Sequence, residues 1–129
     1  MELNVYQKKA METCMPTCEN ISYMLLNLVG EVGEFSSKIA KGIRKGDFMI
    51  KGNRLCFDPR NLTEENLARV EESLMAECGD ICWQLSGLCS VMGWDLEEVA
   101  TANLAKLAER KKLGTIIGNG DGTTKEERL

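Results

Sequence analysis

The chain has two prolines, Pro16 and Pro59, and between and beyond them its apolar residues recur at i, i+3, i+4 and i+7 over long stretches. Proline removes a backbone donor and clashes with the preceding turn, so proline-free segments with this period fold as amphipathic helices. The sequence therefore predicts an all-α protein, a helical bundle of about four helices. A short helix is expected over 3–14. A second starts at a Thr17 cap and runs to about Lys41, with Gly42 as its stop. A third follows Thr63, with Glu64 and Glu65 in its first turn and Gly93 as terminator. A fourth starts at an Asp95/Glu98 capping box and ends at Gly114. The stretch "DFMIKGNRLCFDPRN" breaks the helical period: Phe48, Ile50, Leu55 and Phe57 flank Gly52-Asn53, which predicts a small β-hairpin insert near 48–57. At 129 residues the chain has the length of one domain, assigned to 1–121, with 122–129 as a flexible C-terminal tail.

Several classes of function are disfavoured. The formal net charge of −4 leaves no basic stripe for a phosphate backbone, so no nucleic-acid partner is expected. No apolar run approaches the roughly 20 residues that span a bilayer, and the N-terminus lacks an apolar leader segment, so the chain reads as a cytoplasmic protein without a membrane partner. Six cysteines and no histidine are present. Cys14 and Cys18 share a four-residue spacing with Cys78 and Cys82, which allows a four-thiolate zinc site, but without a C-x-x-C pair buried free thiols are the better reading.

The chemistry concentrates in two carboxylate pairs. On a helical wheel Ile21, Met24, Leu25, Leu28, Val32, Phe35 and Ile39 form an apolar stripe, and Asn27, Glu31, Glu34 and Lys38 form a polar seam along its edge. The third helix repeats this: Glu77, Asp80 and Gln84 edge a stripe containing Leu74, Ile81 and Leu88. Aligning "LVGEVGEF" with "LMAECGDI" matches Leu28 to Leu74, Glu31 to Glu77, Gly33 to Gly79 and Glu34 to Asp80 at a constant offset. Two such helices packed antiparallel would bring both pairs to one point. Gly33 and Gly79 each cost about 1 kcal/mol inside a helix, so close helix approach or ligand access is expected there.

Gathered carboxylates repel one another unless cations neutralise them. An all-oxygen set without imidazole or thiolate favours Mg²⁺, with Mn²⁺ possible, over iron. Asn103, Lys106 and Arg110 fall on one face of the last helix and can meet phosphates, although cations near a helix C-terminus also suit its dipole. Tyr23, Trp83 and Trp94 can stack a base or simply pack.

These residues, "GEVGEF", "AECGDICWQL" and "DLEEVATANLAKLAERKKLG", resemble the MazG-like members of the all-α nucleoside triphosphate pyrophosphohydrolases, from "VYQKKAMET" to about Asp121. The resemblance implies Mg²⁺-dependent hydrolysis of a nucleoside triphosphate to the monophosphate and pyrophosphate. It implies metal binding by Glu31, Glu34, Glu77 and Asp80, and substrate contacts from Lys38, Asn103, Lys106 and Arg110. It also implies a homodimer or homotetramer in which a neighbouring chain completes the site. The insert at 46–61 is longer than the link common in such proteins. A non-catalytic oligomer that binds nucleotide or metal as a sensor is the alternative.

Overall fold

The computed structural model describes residues 1–115. Four α-helices follow one another as α1 (Leu3–Met11), α2 (Ile21–Lys45), α3 (Glu64–Val91) and α4 (Leu96–Leu113), with a hairpin of β1 (Phe48–Lys51) and β2 (Arg54–Phe57) between α2 and α3. The expected all-α bundle with its small β insert is the fold observed. The proposed tail, 122–129, lies outside the described residues.

Local chemistry sets most of the ends, though not always at the residue expected. Pro16–Cys18 forms a single 3₁₀ turn, so Thr17 does not cap α2. The cap is Asn20, whose side-chain oxygen accepts from Tyr23 N at 2.8 Å. The helix also runs through Gly42 to stop at Gly46, which has the left-handed backbone, φ +80, that a chain reversal there requires. Gly42 lies inside α2 because the Phe48 ring sits where its Cβ would be. Thr63 caps α3 as expected, accepting from Asn66 N. Asp95 makes no side-chain cap on α4. The first turn of α4 is held instead by α1: Gln7 Oε1 accepts from Leu96 N at 2.7 Å and Asn4 Oδ1 from Glu97 N at 3.2 Å.

The hairpin pairs Phe48 with Phe57 and Lys51 with Arg54 in antiparallel register around Gly52 and Asn53, both of positive φ. Phe48 and Phe57 meet edge to face with ring centroids 5.1 Å apart. Phe48 is thereby buried on Gly42, which fixes the hairpin to the end of α2.

The framework is the antiparallel pair α2/α3. Met24 is fully buried and packs on Gly87, where a side chain would have no room. Asn27 donates to Gln84 Oε1 at 2.8 Å, and Lys38 donates to Ser73 Oγ at 2.6 Å. Thus residue numbers rise along one helix as they fall along the other. The α1 helix crosses the C-terminal part of α3 through Gln7 Nε2 to Ser90 Oγ, 2.9 Å, and Trp83 Nε1 to Ala10 O, 3.0 Å.

Met24 of the apolar stripe and Asn27 and Lys38 of the polar seam together make the contact with α3, while other members of the stripe are left half open: Leu25 is 50% exposed and Val32 48%. Just outside the stripe Leu26 is 72% and Val29 68% exposed. The expected role of Gly33 and Gly79 in close helix approach is also corrected, because a Cβ at either position would meet nothing within 4 Å.

A carboxylate centre between two antiparallel helices

The antiparallel crossing turns the sequence repeat into a site. Carboxylate oxygens of Glu31 on α2 and of Glu77 and Asp80 on α3 all lie within 4.8 Å of one another. Among the described residues this is the only group of three or more carboxylate or cysteine ligands so arranged. None of the cysteines belongs to it. The burial of the three carboxylates is graded: Glu77 is buried, Glu31 half-buried and Asp80 exposed, so the cluster meets solvent at Asp80.

Each member is positioned by named neighbours. Asn27, one turn before Glu31, donates to Glu31 Oε1 at 3.1 Å while also bonding Gln84, itself 2% exposed. The Gln84 amide in turn reaches Met24 O at 3.5 Å. Glu77 takes an ion pair from Lys38 Nζ at 2.5 Å, and the same ammonium is held by the Ser73 hydroxyl. Ser73 is the one residue of this arrangement the sequence reading passed over. Its signal is its place one turn before Glu77 on the same face of α3.

Burial, foremost, together with the charges of Asp80, Glu34 and Glu77, raises the carboxyl pKa of Glu31 above its ordinary 4.5, against the lowering effect of the Asn27 hydrogen bond. A carboxyl whose pKa is raised holds its proton more readily in the native state than in the unfolded chain. It therefore favours folding at low pH, and that contribution is lost as pH rises from 4.5 through the raised value. In EDTA the melting temperature of the wild type should fall over this window relative to Glu31→Gln, in thermal scans between about pH 4 and 7. A divalent cation should remove the difference. Equal pH profiles for the two proteins would refute the crowding inferred for Glu31.

The chemistry of the donors fits a hard divalent cation: three convergent carboxylates, no soft ligand, and a local excess of negative charge that protein cations only partly relieve. Lys38 relieves Glu77 alone.

The remaining expected site residues are placed as follows. Glu34 stands outside the group of three, on the rim, where it lines a groove with Gly30, Gly33, Ser37, Lys38 and Lys41; its charge nevertheless acts on Glu31. Asn103 and Lys106 line an open cleft of about 500 Å³ with Trp94, Glu98, Val99 and Ala102, and none of the clustered carboxylates lines it. Arg110 is half-buried near the end of α4, its carbonyl accepting from Thr115 N. Within one chain Asn103 and Lys106 thus line a cleft to which the clustered carboxylates do not contribute. Trp83 is committed to packing, its indole donating to Ala10 O and to Thr13 Oγ1 at 2.8 Å.

A bundle whose central helix pair gathers acidic side chains into a group that could hold a cation defines a class of helical protein with a candidate acidic metal site. The sequence profile of the MazG nucleotide pyrophosphohydrolase domain matches residues 19–114, a span that contains α2, the hairpin, α3 and α4. The chain belongs to this family. It is also similar to the Gene 37 protein of Mycobacterium phage L5, with 33% identity over 128 residues, covering 94% of this chain and 98% of that protein. No solved structure matches the chain significantly.

Proposed function

We propose that the protein is a Mg²⁺-dependent nucleoside triphosphate pyrophosphohydrolase, acting in the cytoplasm to convert an NTP or dNTP to the monophosphate and pyrophosphate, as in house-cleaning of nucleotide pools. The observation that carries the reading is the convergence of Glu31, Glu77 and Asp80 on one point, within a chain of the pyrophosphohydrolase family. No helix of the described residues is long and apolar enough to cross a membrane.

In this mechanism Glu31, Glu77 and Asp80 hold the cation, and Glu34, one turn from Glu31 and already acting on its charge, is the fourth carboxylate. When bound, Mg²⁺ (or Mn²⁺) supplies charge neutralisation for the phosphates and polarises the α-phosphorus toward attack by water. The chain's own residues do the positioning. Asn27 donates to Glu31 Oε1 and so would orient this carboxylate toward a bound cation. Lys38 pairs with Glu77, and its flexible stem lets the ammonium exchange that carboxylate for a substrate phosphate.

Substrate contacts from Asn103, Lys106 and Arg110 are proposed to come from a neighbouring copy, in a homodimer or homotetramer. The exposed apolar face of α2, with Leu25, Leu26, Val29 and Val32, supports this assembly, since contiguous apolar surface on a helix is stabilised by a covering partner. Val29→Asp should shift the assembly toward monomer by light scattering, with turnover per chain falling as the assembly dissociates. An unaltered mass would remove α2 from the interface.

Product analysis by ion exchange, with a panel of ribo- and deoxyribonucleoside triphosphates, tests the reaction directly. Monophosphate and pyrophosphate should form with Mg²⁺ and not with EDTA. Saturable nucleotide binding without product would replace the enzyme by a sensor.

A further inference from the structure

The α2 helix carries Lys38, Lys41 and Lys45 at i, i+3 and i+7, hence along one side. All three line one cleft between α2 and α3, about 220 Å³ in volume, whose opposite wall is Val70, Ser73 and Leu74 and whose lining includes Phe48, so its floor is apolar and its charge comes from the lysine ammonium groups. Lys38 is engaged by Glu77 and Ser73. Lys41 and Lys45 have no carboxylate partner among the described residues. This is a row of cations that starts at the carboxylate centre and leads away from it, with its two outer members uncompensated in a chain of net charge −4. Helical rise places Lys41 and Lys45 about 4.5 and 10 Å beyond Lys38 along the axis, within reach of a polyphosphate anchored at the centre.

Two further features shape the ligand. Lys38 and Lys41 also face the adjoining groove of Glu34 and Gly33, and the open space at Gly33 leaves that approach clear of side chains. Phe48, pinned on Gly42, closes the row with an apolar wall just beyond Lys45. A short anionic group fits between the centre and this wall, and the wall opposes a longer chain of phosphates.

We propose that the Lys41/Lys45 cleft is the subsite for the terminal diphosphate of the substrate, the group that leaves as pyrophosphate; the proposal rests on the pyrophosphohydrolase reading. In that reaction the oxygen of water bonds to the α-phosphorus, and the bond from that phosphorus to the α,β-bridging oxygen breaks. The bridging oxygen departs with the electron pair on pyrophosphate, and one proton of the water is released to solvent. Lys41 and Lys45 meet the charge that gathers on the departing group, and Lys38 stands at the junction between the two halves of the substrate.

The test is titration calorimetry of the full chain with inorganic pyrophosphate and, separately, with a nucleoside monophosphate, both in Mg²⁺. Pyrophosphate should bind the wild type, and Lys41→Met and Lys45→Met should each weaken it about tenfold. Monophosphate affinity should stay within about twofold, and the paired arginine substitutions should restore pyrophosphate binding. Both lysines are exposed, so the folded state should survive, which circular dichroism checks. Wild-type pyrophosphate affinity in the double methionine variant would overturn the subsite even if nucleotides are hydrolysed. Failure of the wild type to bind pyrophosphate would overturn it too. Loss of pyrophosphate binding in the variants of a protein that hydrolyses no nucleotide would uphold the diphosphate site while removing the hydrolase reading.

Discussion

Glu77→Gln is expected to lower turnover at least about 100-fold while leaving the chain folded, because removing even an indirect support of a metal ligand costs 10–100-fold in affinity or activity. Glu77 is the member of the centre with the least freedom to be replaced. It is 8% exposed, lies within 4.8 Å of both other carboxylates, and is the sole carboxylate partner of Lys38 among the described residues. The amide keeps the shape of the side chain and removes its charge. Lys38, with a side chain 37% exposed, can then turn to water and retains Ser73, so the change in unfolding free energy should stay within about 1 kcal/mol. Rate assays with Mg²⁺, paired with Mn²⁺ binding followed by electron paramagnetic resonance and a urea titration in EDTA, separate the effects. Wild-type turnover in this variant would take the carboxylate centre out of the chemistry. A collapse of the urea midpoint would make its role structural.

That the centre exists at all was legible in the spacing of the sequence. The repeat that equates Glu31 with Glu77 and Glu34 with Asp80 brings three of the four together, with Glu34 left outside the group, because the two helices run antiparallel, as the Asn27–Gln84 and Lys38–Ser73 bonds show that they do. The hairpin was equally legible, since Gly52 and Asn53 take the positive φ values that its turn demands. What the sequence hid was tertiary. Gly42 looks like a helix stop until Phe48, from a strand that folds back, occupies its missing side chain. Asp95 looks like a cap until Gln7 and Asn4, from the other end of the chain, take its place. Periodicity finds the stripe and the seam but not which of them faces the partner helix. Here the boundary between them does: Met24 of the stripe packs on Gly87, and Asn27, Gln84, Lys38 and Ser73 satisfy one another across the contact. Leu25 and Val32 of the stripe are thereby left half open. The same limit applies to Asn103 and Lys106: their shared face is periodic, but the cleft they line is a property of packing.

Met24→Ala is expected to cost about 2–5 kcal/mol, the range for deleting a long apolar side chain from a core that cannot collapse around the gap. Among the described residues Met24 is the largest apolar side chain that is wholly out of solvent, and it joins the two helices that carry the site. Its thioether lies against Gly87 of α3, and the buried Gln84 amide approaches its carbonyl and sulfur, so the cavity would open beside the network that orients Glu31. The melting temperature should drop on the order of 10 °C. Gly87→Ala should also destabilise, by about 1–3 kcal/mol less the gain in helix propensity, because its new methyl collides with Met24. In the double variant that methyl enters the space Met24 vacates, so the loss should be smaller than the sum of the two by about 1 kcal/mol or more. Urea midpoints in EDTA, taken at several protein concentrations to hold assembly constant, give the cycle. Simple additivity would mean that α2 and α3 do not meet through this pair, and the carboxylate centre would then lack the contact that sets the spacing of its two helices.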